Sequence, residues 1–216
     1  MKKNILLVAS GLVHPTLIAI RRLRSLLEAH FPPLLSVASL EALIDLDLSV
    51  VSVLVMYFHH KTISGEALQV FERFVSRGGG VLAIHGATAS YKSCKKYFEI
   101  LGGRFLQHGK VAPVRVTPIE GPNAPFEGLG GFTIRDELYQ HEVQPGIRVH
   151  FEALEAGQAV PVIWTYHYGA GRVCYAMPGH TAGALMHPVY QEILLRSLGW
   201  VSGQVDTQTS LSAGVM

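Results

Sequence analysis

The chain has 216 residues, 49% of them hydrophobic and 16% charged, a balance that excludes a disordered polymer and supplies enough apolar mass for one sizeable core. Its 18 basic and 16 acidic residues leave a net charge of +2 and are scattered, so no basic stripe is available for a phosphate backbone and nucleic acid is not an expected partner. No stretch approaches the ~20 consecutive apolar residues of a membrane span, and Cys94 and Cys174 form no CxxC pair. A cytoplasmic protein with no membrane partner is expected.

The opening MKKNILLVASGLVHP has an apolar run at 5–9 too short for a secretion signal, and His14-Pro15 stands where cleavage needs small residues. NILLVA at 4–9 is therefore read as a first strand. Residues 16–30 place Leu17, Ile20, Leu23, Leu26 and Leu27 at helical spacing, and Pro32-Pro33 ends that helix. LLSVA at 34–38 is a weaker strand, and Ser39 caps a short helix through Ile44. VSVLVMY at 51–57, apolar on consecutive residues, suits a parallel strand covered on both faces. Ser64 caps the next helix, which carries Leu68, Phe71, Phe74 and Val75 and stops at Gly78. A strand at 81–84 and a helix at 92–101 follow, with Cys94 inside that helix among lysines. This alternation predicts a doubly wound α/β sheet.

From Val111 the texture changes to shorter runs, APVRVTPI, RVHFEAL, PVIWTYHYG and GRVCYAM, which read as additional C-terminal β-strands; the last two form a hairpin turned by Gly169 and Gly171. A helix at 187–201 closes a single domain spanning 1–203, and 204–216, polar and patternless, is expected to be a disordered tail.

In a parallel sheet ligands sit outside the carboxyl ends of the strands. His14, His59, His60, His85 and His180 all follow predicted strands. His85 draws most interest, because GGGVLAIHGATASY ends an apolar strand on an imidazole backed by Gly86, a turn that lifts a side chain above the sheet edge; a partly buried histidine bonded to a carbonyl is the structural alternative. RDELYQHE at 135–142 offers Asp136, Glu137, Tyr139 and His141, suited to metal binding or acid–base work unless it is a solvated loop. PGHT at 178–181 brings His180. No GxxxxGK[ST] loop and no GxGxxG after the first strand occur, so no nucleotide cofactor is expected, and no Gly-x-Ser-x-Gly elbow is present.

The blocks GGGVLAIHGAT, YFEILGGRF with QHG, FTIRDELY, PVIWTYHYGAGRVCYAMPGHT and HPVYQEILLRSLGWVSG, in that order from Val51 to Gly203, resemble the ThuA-like family of trehalose utilisation. The resemblance implies a flavodoxin-like sheet of the class I glutamine amidotransferase type, with His85 standing where the amidotransferases carry a cysteine nucleophile; amidotransfer is thereby not expected. It also implies a carbohydrate substrate, a glycoside or its 3-keto derivative. His85, Glu137 and His180 are the expected catalytic residues and the expected ligands of a divalent metal such as zinc or manganese. His14, His59, Tyr91, Asp136, Tyr139 and Trp164 are the expected substrate contacts. The apolar edge around the hairpin could support a homodimer. The competing expectation is a non-catalytic sugar-binding or regulatory module on the same scaffold.

Overall fold

The structure is a computed structural model that describes residues 4–11 and 14–203, the side chains of 14–16 excepted. Five parallel strands come first. β1 (Asn4–Ala9), β2 (Leu34–Val37), β3 (Val51–Tyr57), β4 (Gly80–Ile84) and β11 (Gly171–Ala176) lie in the order β2-β1-β3-β4-β11. β3 and β4 are buried almost throughout, which is why their sequences run apolar without alternation.

Helices α1 (His14–His30) and α2 (Gly65–Ser76) connect parallel neighbours, and α5 (Pro188–Val201) closes the chain. The α2 cap is as expected, Ser64 Oγ accepting from the Ala67 amide at 3.1 Å. Ser39 precedes a 3-10 turn at Leu40–Asp45 but makes no side-chain cap bond. The helix expected over 92–101 is shorter: α3 (Lys95–Leu101) begins after Cys94, which occupies the N-cap position and not the helix interior. Residues 91–94 form a turn instead, the Cys94 amide donating to the Tyr91 carbonyl at 2.7 Å.

The sheet then continues antiparallel through β10 (Gln158–Tyr168), β9 (Arg148–Glu155), β6 (Ala112–Pro118) and β7 (Phe132–Asp136). The β10–β11 hairpin pairs Tyr168 with Gly171. Gly169 there has φ +59°, and a Cβ on it would meet the Ser76 carbonyl at 2.7 Å, so glycine is required on both counts. β5 (Gly103–His108) and β8 (Tyr139–Val143) form a separate two-stranded sheet. Most of RDELYQHE is therefore strand, not loop. In β7 the burial alternates, with Phe132, Ile134 and Asp136 inward, and that period of two carries a carboxylate into the interior. The predicted tail at 204–216 lies outside the described residues.

Register positions the functional edge. Val8 pairs with Met56, Met56 with Ala83, and Ala83 with Tyr175, so β1, β3, β4 and β11 end at the same level. The loops bearing Ser10, His59, His85 and His180 therefore leave one rim. Among the described residues no helix is long and apolar enough to cross a membrane.

One buried polar cluster lies away from that rim. His150, fully buried, donates from Nδ1 to Asn123 Oδ1 at 2.7 Å and accepts at Nε2 from the Thr165 hydroxyl at 2.8 Å. Burial, with Arg148 adding to it, pushes this imidazole down to about 4. The unfolded chain takes up a proton near pH 6.5 that the folded chain refuses until pH falls to about 4. Stability held by neutral His150 is thus complete above pH 6.5 and lost on acidification through that window. The expected result is a melting temperature that falls between pH 7 and pH 5 in the wild type and falls less steeply in His150→Gln. Equal slopes would remove His150 from the account.

Candidate active site

His85 follows the last residue of β4 and adopts φ +48°, a left-handed conformation that costs a non-glycine residue ~1 kcal/mol or more. Two hydroxyls hold it there, since its carbonyl accepts from Tyr175 at 3.1 Å and from Thr88 Oγ1 at 3.3 Å. The residue is 7% exposed. Its Nδ1–H donates to the Met177 carbonyl at 2.9 Å, and Nε2 lies 3.0 Å from the Tyr139 hydroxyl. Burial pushes its pKa down to about 3, against the pull of the Met177 carbonyl, so the ring is neutral and Nε2 accepts the phenol's proton.

Glu137 sits at the corner between β7 and β8. Its carboxylate faces three imidazoles: His180 Nδ1 at 3.1 Å, His108 Nδ1 at 3.5 Å and His85 Nε2 at 3.7 Å. One residue earlier, Asp136 is fully buried and works from behind. It accepts from the amides of Glu137 at 2.8 Å, Gly179 at 2.9 Å and His180 at 3.2 Å. A single carboxylate thus ties the Glu137 corner to the His180 loop. Burial raises its pKa to about 6 against the opposing effect of those backbone donors.

The loop at 178–181 also depends on a bare backbone. A Cβ on Gly179 would lie 2.8 Å from His85 Cβ and 3.1 Å from Ile84 Cγ2, neither of which is the free end of a flexible chain. Gly179→Ala is expected to push the loop off the elbow and cost about 1–3 kcal/mol, read by thermal unfolding. Gly65→Ala, where nothing lies within 4 Å of the added carbon, is the control and should be close to neutral. Similar losses in the two variants would show that the close approach is not needed.

These elements enclose an open cleft of ≈ 730 Å³. Of the residues expected from sequence, His59, His85, Glu137, Tyr139 and His180 line it. Asp136 does not, because its strand register turns it inward to bind backbone amides instead of ligand. Tyr91 and Trp164, expected as sugar contacts, are core residues at 1% and 0% exposure: Tyr91 packs on Phe58 and Tyr97, and the Trp164 indole donates to the Leu101 carbonyl at 3.2 Å. His14 opens α1, and its side chain lies outside the described residues. Sequence reasoning gave no role to His108, Lys92 or Phe105, all of which line the cleft. The QHG that ends β5 was the available signal for His108. Lys92 lies 5.1 Å from the Phe105 ring centre, in cation–π contact.

One nitrogen each from His85 and His180 and one Glu137 oxygen lie within 4.8 Å of one another. Two imidazoles and a carboxylate are a donor set suited to zinc or manganese, with room left for water or substrate. The protein is thus a mixed α/β protein whose histidine-rich cleft opens at the carboxyl ends of its parallel strands.

The chain belongs to the ThuA family, described as trehalose utilisation, whose model matches residues 4–201; it is therefore carbohydrate-related. Two similar solved structures are ThuA-like proteins. That from Parabacteroides merdae has a TM-score of 0.81 at 19% identity, covering 95% of this chain and 92% of that one. That from Bacteroides uniformis has a TM-score of 0.75 at 16% identity, covering 93% and 91%. A β-galactosidase from Bacillus circulans sp. alkalophilus shares the fold over 94% of this chain and 31% of its own, with a TM-score of 0.68 at 13% identity. No curated protein matches the chain in sequence.

Proposed function

We propose that the protein cleaves a glycoside, in particular a 3-keto-glycoside, by elimination followed by hydration. The observation that carries this reading is the meeting of His85, Glu137 and His180 in one cleft, and membership of a trehalose-utilisation family supports a sugar as substrate. In a 3-keto sugar the hydrogen on C2, beside the carbonyl, is acidic. Glu137 takes that proton, the C2–H electron pair becomes the C1=C2 bond, and the C1–O bond breaks. The departing oxygen takes a proton from His180, whose Nδ1 is held against Glu137 at 3.1 Å. Water then adds across C1=C2, oxygen to C1 and hydrogen to C2, so the net change is hydrolysis. In the alternative, metal-assisted form of the same reaction, a divalent metal would be held by His85, Glu137 and His180 in place of the direct proton transfers, and it would supply carbonyl polarisation and a more acidic water. Tyr139 and His59, which line the cleft, would contact the sugar.

The parallel order β2-β1-β3-β4-β11 is that of a flavodoxin-like sheet, which supports kinship with class I glutamine amidotransferases. His85 at the elbow has no sulfur to form their thioester, so amidotransfer is not part of the proposal. A cytoplasmic location and a carbohydrate as the sole small-molecule partner complete it.

The test is a panel of 3-keto and unmodified glycosides, with release of the leaving sugar or aglycone measured alongside the metal content of the protein. Turnover of a 3-keto-glycoside is expected. Sugar binding without any turnover would replace this reading by the non-catalytic binding module.

A further inference from the structure

We propose that Ser10 and His60 form a second reactive pair in the cleft, a serine nucleophile and its histidine base, which hydrolyses a carboxylic ester such as an acyl group carried by a sugar. The acyl transfer stands on these two residues alone; only the sugar as its alcohol rests on the reading above.

The pairing follows from strand order. β1 and β3 are adjacent and parallel, with Ala9 opposite Tyr57, so the loops that leave them run side by side. Ser10 is the first residue after β1 and His60 the third after β3, and the Ser10 hydroxyl is hydrogen-bonded to His60 Nε2. Both line the cleft, as does Gly11. No Gly-x-Ser-x-Gly segment marks this serine, but a nucleophile and its base are recognised by geometry and not by sequence position.

Neither residue is free to drift. The Ser10 amide donates to the Tyr57 carbonyl at 3.3 Å. The His60 amide donates to Ser90 Oγ at 3.1 Å, its carbonyl accepts from the Tyr91 amide at 2.8 Å, and its ring stands edge-on to Phe58 with 5.0 Å between centres. These contacts supply the orientation that a carboxylate gives the base in a Ser-His-Asp triad. Burial, reinforced by His59, holds the imidazole below its ordinary pKa. The ring is therefore neutral at pH 7, and with the serine donating, Nε2 carries the lone pair of a general base. The Glu41 carboxylate acts in the opposite sense and favours the imidazolium that forms during reaction.

Ser10 Oγ attacks the ester carbonyl carbon as its proton passes to His60 Nε2. The amide of Gly11, one residue beyond the nucleophile, is the donor at hand for the oxyanion. The C–O bond to the alcohol then breaks, the alcohol oxygen takes the proton from Nε2, and an acyl-serine remains. Water, giving a proton to the same nitrogen, attacks the acyl carbon; the acid leaves and Ser10 recovers its proton. Ester and water become acid and alcohol with no other reactant.

The test treats the full chain with a fluorophosphonate probe, and assays it on p-nitrophenyl acetate and on an O-acetylated glycoside. Label is expected on Ser10, located by peptide mass. Labelling and ester hydrolysis should each fall about 10²- to 10⁴-fold in His60→Gln and be lost in Ser10→Ala. A wild type that takes no label at Ser10, or a His60→Gln variant labelled as fast as the wild type, would overturn the pair and leave a hydrogen bond that only ties two loops together. Should the variants not fold, the wild-type peptide mass decides by itself. Hydrolysis of p-nitrophenyl acetate without hydrolysis of the acetylated glycoside would overturn the sugar and uphold the acyl transfer. Neither assay contains a keto-sugar, so label at Ser10 in a protein that turns over no 3-keto-glycoside refutes the keto-glycoside reaction and not this one.

Discussion

Replacing Glu137 with glutamine is expected to lower turnover of the substrate by about 10²- to 10⁴-fold, the range a positioned general base supplies, with the fold intact. Glutamine has nearly the same shape, but its amide cannot take a proton from C2 and brings no negative charge to the three imidazoles that face it at 3.1, 3.5 and 3.7 Å. The side chain ends in the cleft and anchors no backbone amide, so thermal unfolding should move by no more than about 1 kcal/mol. Metal affinity should fall as well, because the anionic ligand is gone. A variant within a factor of three of the wild type in rate would exclude Glu137 as the base.

Asp136→Ala should do the reverse, unfolding the protein more easily while removing nothing that touches substrate. The lost carboxylate leaves the buried amides of Glu137, Gly179 and His180 without their acceptor. Hydrogen bonds to a charged acceptor are worth about 1.5–3 kcal/mol each and are not additive, so a total near 3–5 kcal/mol is expected. For a chain of this size that lowers the melting temperature by roughly 10 °C. Asp136→Asn should fall between, since one amide oxygen still accepts while its NH₂ confronts a backbone N–H. A change of less than about 2 °C in the alanine variant would mean the carboxylate is not what holds the corner and the loop together.

The contrast between these adjacent acids marks the boundary of what a one-dimensional reading could reach. The VSVLVMY strand, the Ser64 cap, the Gly169 hairpin and the place of His85 after β4 all follow from signals confined to a few residues: an unbroken apolar run, a hydroxyl three residues before an amide, a backbone that tolerates positive φ. Those signals act locally, so they are legible without knowing the rest of the chain. The meeting of His85 and His180 was reachable for a related reason, since parallel strands deliver their following loops to a common edge; Glu137, which follows the antiparallel β7, is brought to them by long-range packing, through the Asp136 carboxylate that accepts from the Gly179 and His180 amides.

The roles of the neighbouring residues depended on which layer covers each side chain. Asp136 points inward because the alternation begun at Phe132 and Ile134 carries it there, and only the approach of the 178–181 loop gives its carboxylate a set of amides to bind. Trp164 and Tyr91 are buried because other elements close over them; Gly103, at the start of the separate β5–β8 sheet, comes so near that a Cβ would meet the Trp164 ring at 2.8 Å. His108 reaches Glu137 because that same sheet folds back toward the cleft. Composition and period thus established the α/β class, most of the strands and the imidazole-bearing edge, whereas long-range packing assigned each aromatic and acid to core, clamp or cleft, because exposure is a property of what lies opposite a residue in space and not of what flanks it along the chain.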